Sequence, residues 1–134
     1  MFITLEGVDG SGKTTQANML ALALGASAMT LREPGGTDAA ERIRQLLADP
    51  VTPLDPIAEL LLFCAARADL VSRVIRPALE IGRIVICDRF TDSTIAYQGV
   101  ARGLGIVKVR EMSEVATDGL TPDLTLLLRV DPAF

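Results

Sequence analysis

The sequence contains no histidine and no tryptophan, and it has only one tyrosine and two cysteines. Without histidine, neither a histidine general base nor a histidine-ligated metal site can be present. Cys64 and Cys87 show no metal-ligand spacing, and both lie in apolar surroundings. We therefore expect two buried, reduced thiols rather than a disulfide.

Positive charge and long apolar runs are also scarce. The chain has 13 lysines and arginines against 17 aspartates and glutamates, so the net charge is −4. This charge provides no general surface for polyanions, so we expect no nucleic-acid partner, and an anionic ligand has to be held locally. The longest apolar runs, such as 60–66, are too short to cross a bilayer, and Met1 leads into a strand without a basic segment. We therefore expect a cytoplasmic protein without membrane contact.

Apolar runs and helical patterns alternate along the chain. The runs typical of strands lie at 2–5, 27–31, 84–87 and 124–130. Apolar residues at helical spacing predict helices that lie at about 13–25, 38–48, 57–81, 91–100 and 106–116. We expect Pro77 to kink or break the longest of these helices. The alternation predicts a single domain over 1–134, built on a parallel α/β sheet with its ligands at the carboxyl ends of the strands.

The segment Gly7-Val8-Asp9-Gly10-Ser11-Gly12-Lys13-Thr14 lies between the first apolar run and the first helical pattern. Its spacing is that of a P-loop, in which backbone N–H groups surround phosphates at a helix N-terminus. In this pattern Lys13 reaches the β- and γ-phosphates, and Thr14 ligates Mg²⁺. The alternative is a glycine-rich turn before a structural helix, and the strand and helix on either side argue against it. The predicted nucleotide-binding residues are Gly7, Gly10, Ser11, Gly12, Lys13, Thr14 and Thr15.

Five segments, in this order along the chain, resemble the thymidylate kinase family. They are Glu6 to Thr15, Arg32-Glu33-Pro34-Gly35-Gly36-Thr37, Leu62-Phe63-Cys64-Ala65-Ala66-Arg67, Asp88-Arg89-Phe90 with Ser93 and Ala96-Tyr97-Gln98-Gly99, and Pro122-Asp123-Leu124-Thr125. The resemblance implies a three-layer α/β/α fold of the P-loop kinase type. It also implies transfer of the γ-phosphoryl group of MgATP to dTMP, which gives dTDP.

This reaction needs no strong base. The second pKa of a phosphate monoester is about 6, so the acceptor is largely ionised at neutral pH. What the reaction requires is alignment of two anions and neutralisation of the charge between them. A site without histidine satisfies these requirements.

The resemblance also assigns catalytic roles. It implies that Arg89 lies between the acceptor phosphate and the γ-phosphoryl group, that Asp88 orders Mg²⁺ together with Thr14, and that Asp9 approaches the acceptor sugar and positions Arg89. Arg32 resembles a second phosphate clamp. The alternatives are a strand-end cap for Asp88 and a surface arginine for Arg32.

The resemblance implies that the acceptor base stacks on Phe63, which could instead be an ordinary core residue. Arg67 carries only donors, so it suits thymine O4, whereas the amino group of cytosine would be repelled. The resemblance places Tyr97 beneath the deoxyribose and makes Ser93 and Gln98 further contacts of the base and phosphate. Glu33 and Pro34 belong to the same predicted acceptor site.

Two features depart from the family pattern. Position 10 is glycine, where some relatives have an arginine, and relatives with glycine there supply an arginine from a lid beyond the last strand seen here. We therefore expect a sheet without the last strand, a missing lid, and impaired turnover of this chain, since such an arginine contributes roughly 10³–10⁵ in related transfers. The chain would be either a fragment or a short protein. It would present an exposed apolar edge at its last strand.

Two other functions compete with the kinase. One is a non-catalytic module that binds dTMP or nucleotides or mediates dimerisation, and the other is a P-loop hydrolase. The hydrolase would leave Phe63, Arg67, Tyr97 and Gln98 without a role. The resemblance further suggests a homodimer formed through the apolar surface of 57–66.

Overall fold

The computed structural model describes residues 1–131. The strands are β1 (Phe2–Glu6), β2 (Ala28–Arg32), β3 (Ile84–Asp88) and β4 (Leu124–Leu127). The α-helices are α1 (Lys13–Leu24), α2 (Asp38–Ala48), α3 (Pro56–Leu70), α4 (Arg76–Glu80), α5 (Thr91–Thr94) and α6 (Ile106–Thr117). Two π-helical segments, Val71–Ile75 and Ile95–Ala101, join α3 to α4 and extend α5.

The four strands form one parallel sheet in the order β2-β3-β1-β4. In the register of the two central strands, Phe2 lies opposite Val85 and Leu5 opposite Asp88. All parallel strands end at the same edge, so the residues that follow β1 and β3 are brought together. This edge carries the candidate site, as expected for an α/β sheet.

Alternate residues of the central strands pack against helices on opposite faces. Phe2, Val85 and Cys87 pack on one face, against the helical run from Leu70 to Ala78. Ile3, Leu5 and Ile86 pack on the other face, against Ala17 of α1. Strands covered on both faces are continuously apolar, which explains the runs seen in the sequence. The three-layer α/β/α prediction is confirmed.

The predicted helix over 57–81 is a continuous helical run from Pro56 to Glu80. Pro77 neither breaks nor ends it. Proline has no N–H to donate to the i−4 carbonyl. A π-helical turn lies directly before Pro77, and in this turn the N–H of Arg76 donates to the carbonyl oxygen of Val71. The helix continues through this wider turn, and the expected break does not occur. The helix predicted at 91–100 is likewise α-helical only to Thr94 and then continues as the second π-helical segment.

The last strand is shorter than predicted. Only Leu124–Leu127 forms a strand beside β1, and its four residues are exposed. The predicted exposed apolar edge is therefore present, although residues 128–130 do not extend it.

Both cysteine thiols are free and buried, as predicted. Across the helices formed by residues 1–131, none combines the length and the apolar character that a membrane crossing requires.

Candidate functional site

The phosphate loop connects β1 to α1 and depends on glycine. A Cβ atom on Gly7 would lie 2.7 Å from the Leu128 carbonyl oxygen and 2.8 Å from Ser11 Oγ. Only glycine therefore fits at this position, beside the residue that follows β4. Gly10 and Gly12 have φ angles of 79° and 91°, which L-residues with side chains rarely adopt. The loop therefore has the backbone course that its glycine spacing predicts.

The N-terminus of α1 is open to an anion. Its N-cap is Gly12, no side chain caps it, and its first turn contains no acidic residue. The helix therefore directs unpaired N–H groups and a positive dipole end toward the loop. Lys13 is buried, and its Nζ donates to the Val8 carbonyl oxygen at 3.0 Å. Thr14 and Thr15 are exposed on the first turn, whereas the Oγ of Ser11 is buried without a partner among the described residues.

The end of β3 lies next to this loop. Thr14 Oγ1 donates to Asp88 Oδ2 at 2.5 Å. A hydroxyl and a carboxylate oxygen beside a phosphate loop are the hard oxygen donors that Mg²⁺ prefers, and Mg²⁺ usually takes its other ligands from phosphates and water. Within residues 1–131 no cluster of three metal-ligating side chains occurs. These two residues therefore fit a metal that is bound mainly through a nucleotide.

Arg89 follows Asp88 directly and is held in an unusual backbone conformation, with φ at 71°. Its Nη2 donates to Asp9 Oδ1 at 2.6 Å, and its Nη1 donates to Ser93 Oγ at 3.1 Å. The guanidinium carbon also lies 5.2 Å from the centroid of the Tyr97 ring. Three side chains, from the phosphate loop, α5 and the second π-helical segment, thus converge on one cation, and the predicted pairing of Asp9 with Arg89 is present.

Glu6, at the end of β1, belongs to the first family segment, but no role in the site was predicted for it. Its Oε1 accepts from the Phe90 backbone N–H at 2.9 Å, and its Oε2 accepts from Ser93 Oγ. Burial raises the pKa of the Glu6 carboxyl, and the hydrogen bonds from Ser93 and Phe90 partly oppose this effect. Glu6 therefore helps to position Arg89 indirectly, through its hydrogen bonds with Phe90 and Ser93.

A cavity of about 510 Å³ opens beside Arg89. Of the residues predicted to bind the acceptor, it is lined by Asp9, Glu33, Pro34, Phe63, Arg67, Arg89, Ser93, Tyr97 and Gln98. The exception is Arg32, which does not line this cavity; its exposed Nη2 lies 3.6 Å from Glu41 Oε2. The placement of Arg32 therefore matches the surface alternative, and the clamp role stays a prediction.

Arg67 is the largest fully buried side chain and forms one wall of the cavity. Its Nε donates to both carboxylate oxygens of Glu33, at 3.1 and 2.9 Å, and its Nη2 donates to the Phe90 carbonyl oxygen and to Thr94 Oγ1. Its Nη1 is buried and has no hydrogen-bond partner among residues 1–131. A buried, unpaired donor of this kind is costly unless a ligand accepts from it.

Sequence reasoning missed several residues of the cavity wall, because no local motif contains them. Glu59, Thr94 and Arg102 line it, and so do Arg44, Leu47, Ala48 and Ala101. Arg44 Nη1 donates to the Pro34 carbonyl oxygen at 2.8 Å. The apolar stripe of α2, which includes Leu47, is the one sequence signal that could have indicated that this helix lines the cavity.

Comparison with known proteins agrees with this geometry. The family model described as thymidylate kinase matches residues 5–134. A thymidylate kinase of Synechococcus sp. (strain JA-3-3Ab) is 55% identical and covers 98% of this chain and 66% of its own. One from Deinococcus radiodurans is 51% identical over 100% of this chain and 66% of its own. A crystal structure of thymidylate kinase from Ehrlichia chaffeensis superimposes with a TM-score of 0.92 at 43% identity, over 99% of this chain and 78% of that one.

The chain spans just under two thirds of the length of the curated relatives. The family model covers nearly all of it, and the relatives share about half of its residues. The chain belongs to the thymidylate kinase family.

Proposed function

We propose that this site binds dTMP in the cavity and phosphorylates it with MgATP bound at the phosphate loop. The observation that carries the proposal is Arg67, which lines a cavity together with Phe63 and Tyr97 and whose buried Nη1 has no partner among the described residues. A pyrimidine with a carbonyl oxygen at position 4 would accept from it. Thymine and uracil have that oxygen, and cytosine does not.

The shape of the cavity supports a nucleoside monophosphate. Phe63 and Tyr97 supply rings against which a base and a sugar can pack, while Arg89 provides a cation at the end near the phosphate loop. A phosphate next to Arg89 would therefore lie between the cavity and the loop. Selection against dUMP would rest on a single methyl group, which limits the preference to about 1–3 kcal/mol.

The transfer itself would depend on positioning. Arg89 would neutralise charge between the two phosphates, Lys13 would hold the donor phosphates, and Asp9 would keep Arg89 in place. Mg²⁺, held by Thr14 and Asp88 together with the nucleotide, would supply further charge neutralisation. The acceptor phosphate ionises with a second pKa of about 6, so no side chain has to remove a proton from it.

A homodimer is part of the proposal. Ile57 and Leu61 on α3 are 37% and 51% exposed, and they lie one turn apart on one face of the helix. A second copy that covers this face would remove the apolar surface from water. Light scattering of the purified protein tests this point, and a monomer at micromolar concentration would contradict it. A single domain and a cytoplasmic location stay predictions.

A coupled assay of ADP formation from MgATP tests the activity, with dTMP, dUMP, dCMP and water offered as acceptors. Calorimetric titration with dTMP is run on the same sample, with Phe63→Ala as the variant. We expect binding of dTMP that Phe63→Ala weakens, and turnover that depends on dTMP but is impaired, as the sequence predicts. Binding without turnover would indicate an incomplete kinase or the non-catalytic module, and ADP release with water alone would favour a hydrolase.

A further inference from the structure

Gln98 lies in the second π-helical segment and is buried in the wall of the cavity. Its amide nitrogen Nε2 donates to Glu59 Oε1, on α3, at 2.8 Å. Glu59 is held in turn by Arg102, whose Nη2 donates to Glu59 Oε2 at 2.7 Å. All three side chains line the cavity, and hydrogen bonds link them in the order Arg102, Glu59, Gln98.

The chemistry of Glu59 decides which way the Gln98 amide faces. A carboxylate only accepts hydrogen bonds, so the group that approaches it has to be the NH₂ end of the amide. The hydrogen bond from Arg102 lowers the pKa of Glu59, which keeps the group ionised near neutral pH. Rotation of the amide by 180° would bring its oxygen against the carboxylate, where the two would repel.

The amide oxygen is left for a ligand. Gln98 Oε1 accepts no hydrogen bond from any side chain or backbone group within residues 1–131. Gln98 is only 4% exposed, yet its Oε1 is not among the fully buried unpaired polar atoms of residues 1–131, so this oxygen keeps accessible surface in a residue that lines the cavity. Gln98 and Arg67 both line the cavity, so its wall combines an amide acceptor with a donor-only side chain.

We propose that Glu59 is a positioning residue that fixes the amide of Gln98, so that its oxygen accepts from the N3–H of thymine or uracil. The inference rests on the proposed dTMP site. Cytosine carries an unprotonated acceptor at N3, which would meet the Gln98 oxygen. Glu59, which does not need to contact the base, would thus add a second discrimination against cytosine beside that of Arg67.

The test is calorimetric binding of dTMP and dCMP to the 134-residue chain and to three variants. In Glu59→Gln the partner of Gln98 is itself an amide, which can offer either a donor or an acceptor, so both orientations of Gln98 become accessible. We expect the preference for dTMP over dCMP to fall about tenfold, the scale of one hydrogen-bond mismatch at a base edge. Glu59→Asp retains an acceptor-only group and should keep most of the preference, even if both affinities fall. Glu111→Gln, on an exposed position of α6, is the matched control for loss of one charge.

The two proposals fail in different ways. If the unaltered chain binds dTMP but Glu59→Gln weakens dTMP and dCMP by the same factor, Glu59 is merely structural and this inference is wrong. A loss of preference in Glu59→Asp as large as in Glu59→Gln would also overturn it. If the unaltered chain binds neither nucleotide, the proposed function fails and this inference fails with it.

Discussion

The buried ion pair between Arg67 and Glu33 gives the strongest prediction about stability. Both side chains are almost fully buried, at 2% and 4% exposed, and the Arg67 Nε lies 2.9 Å from Glu33 Oε2. Glu33→Gln preserves the shape of the side chain and one acceptor, but it removes the negative charge. An arginine cannot deprotonate in response, so a full positive charge stays in the core without its counter-charge.

Loss of one partner of a buried pair typically costs about 3–5 kcal/mol. The carbonyl oxygen of Phe90 and the Thr94 hydroxyl still accept from Arg67 in the variant, and the oxygen of the introduced amide can accept from its Nε. We therefore expect the low end, a loss of about 3 kcal/mol in the free energy of unfolding. Adding Arg67→Met should recover part of this loss, because the double variant leaves no charge in the core.

Urea unfolding at pH 7, followed by far-ultraviolet circular dichroism, measures these values. The matched control is Arg73→Met, which breaks an ion pair with Asp69 on the surface of the long helix and should cost about 0.5 kcal/mol or less. A loss below about 1 kcal/mol for Glu33→Gln would refute the reasoning. So would a double variant whose loss equals the sum of the two single losses, since the two charges would then be independent.

Two further predictions concern Glu6 and Gly7. Burial raises the pKa of Glu6 above its ordinary value of 4.5, so its contribution to stability is full below pH 4.5 and is lost as the pH rises through the folded-state pKa. In Glu6→Gln the unfolding free energy should therefore fall less steeply with pH above pH 4.5, by at most about 1.4 kcal/mol per pH unit. Urea titrations between about pH 4 and 8 measure this, and a pH dependence equal to that of the unaltered chain would contradict it. Gly7→Ala places a methyl group 2.7 Å from the Leu128 carbonyl oxygen, whereas Gly82→Ala, at φ 81°, meets nothing within 4 Å. Thermal unfolding should show a clearly larger loss for Gly7→Ala than the cost of about 1–2 kcal/mol expected for Gly82→Ala, and equal losses would show that the close approach is unimportant.

The site could be predicted in large part because its central elements are local in sequence. The glycine spacing of the phosphate loop fixes a backbone course through steric limits that act within a few residues. Asp88 and Arg89 directly follow a continuous apolar run, so their place at the carboxyl edge of a parallel sheet follows from the run itself. The fold class and the family were recognisable for a related reason, because each of the five motifs is a short, continuous or nearly continuous stretch of sequence.

Side-chain partners and helix details depended on contacts between distant segments. Glu6 meets Phe90 across 84 residues, and Glu59 meets Gln98 across 39. No pattern within a short window of the sequence records such pairs. The same limit explains Arg32, which its motif suggested as a clamp but which lies at the surface beside Glu41.

The sequence by itself determined the succession of strands and helices along the chain, the phosphate loop and the residues at the strand ends, because periodicity and glycine sterics act locally. Only the tertiary structure decided which groups face each other in the cavity. There, Arg67 bonds to Glu33, Phe90 and Thr94 but keeps one donor without a partner among the described residues, and the amide of Gln98 donates to Glu59. Burial then gives these contacts their energetic weight, because water is no longer available to replace a missing partner.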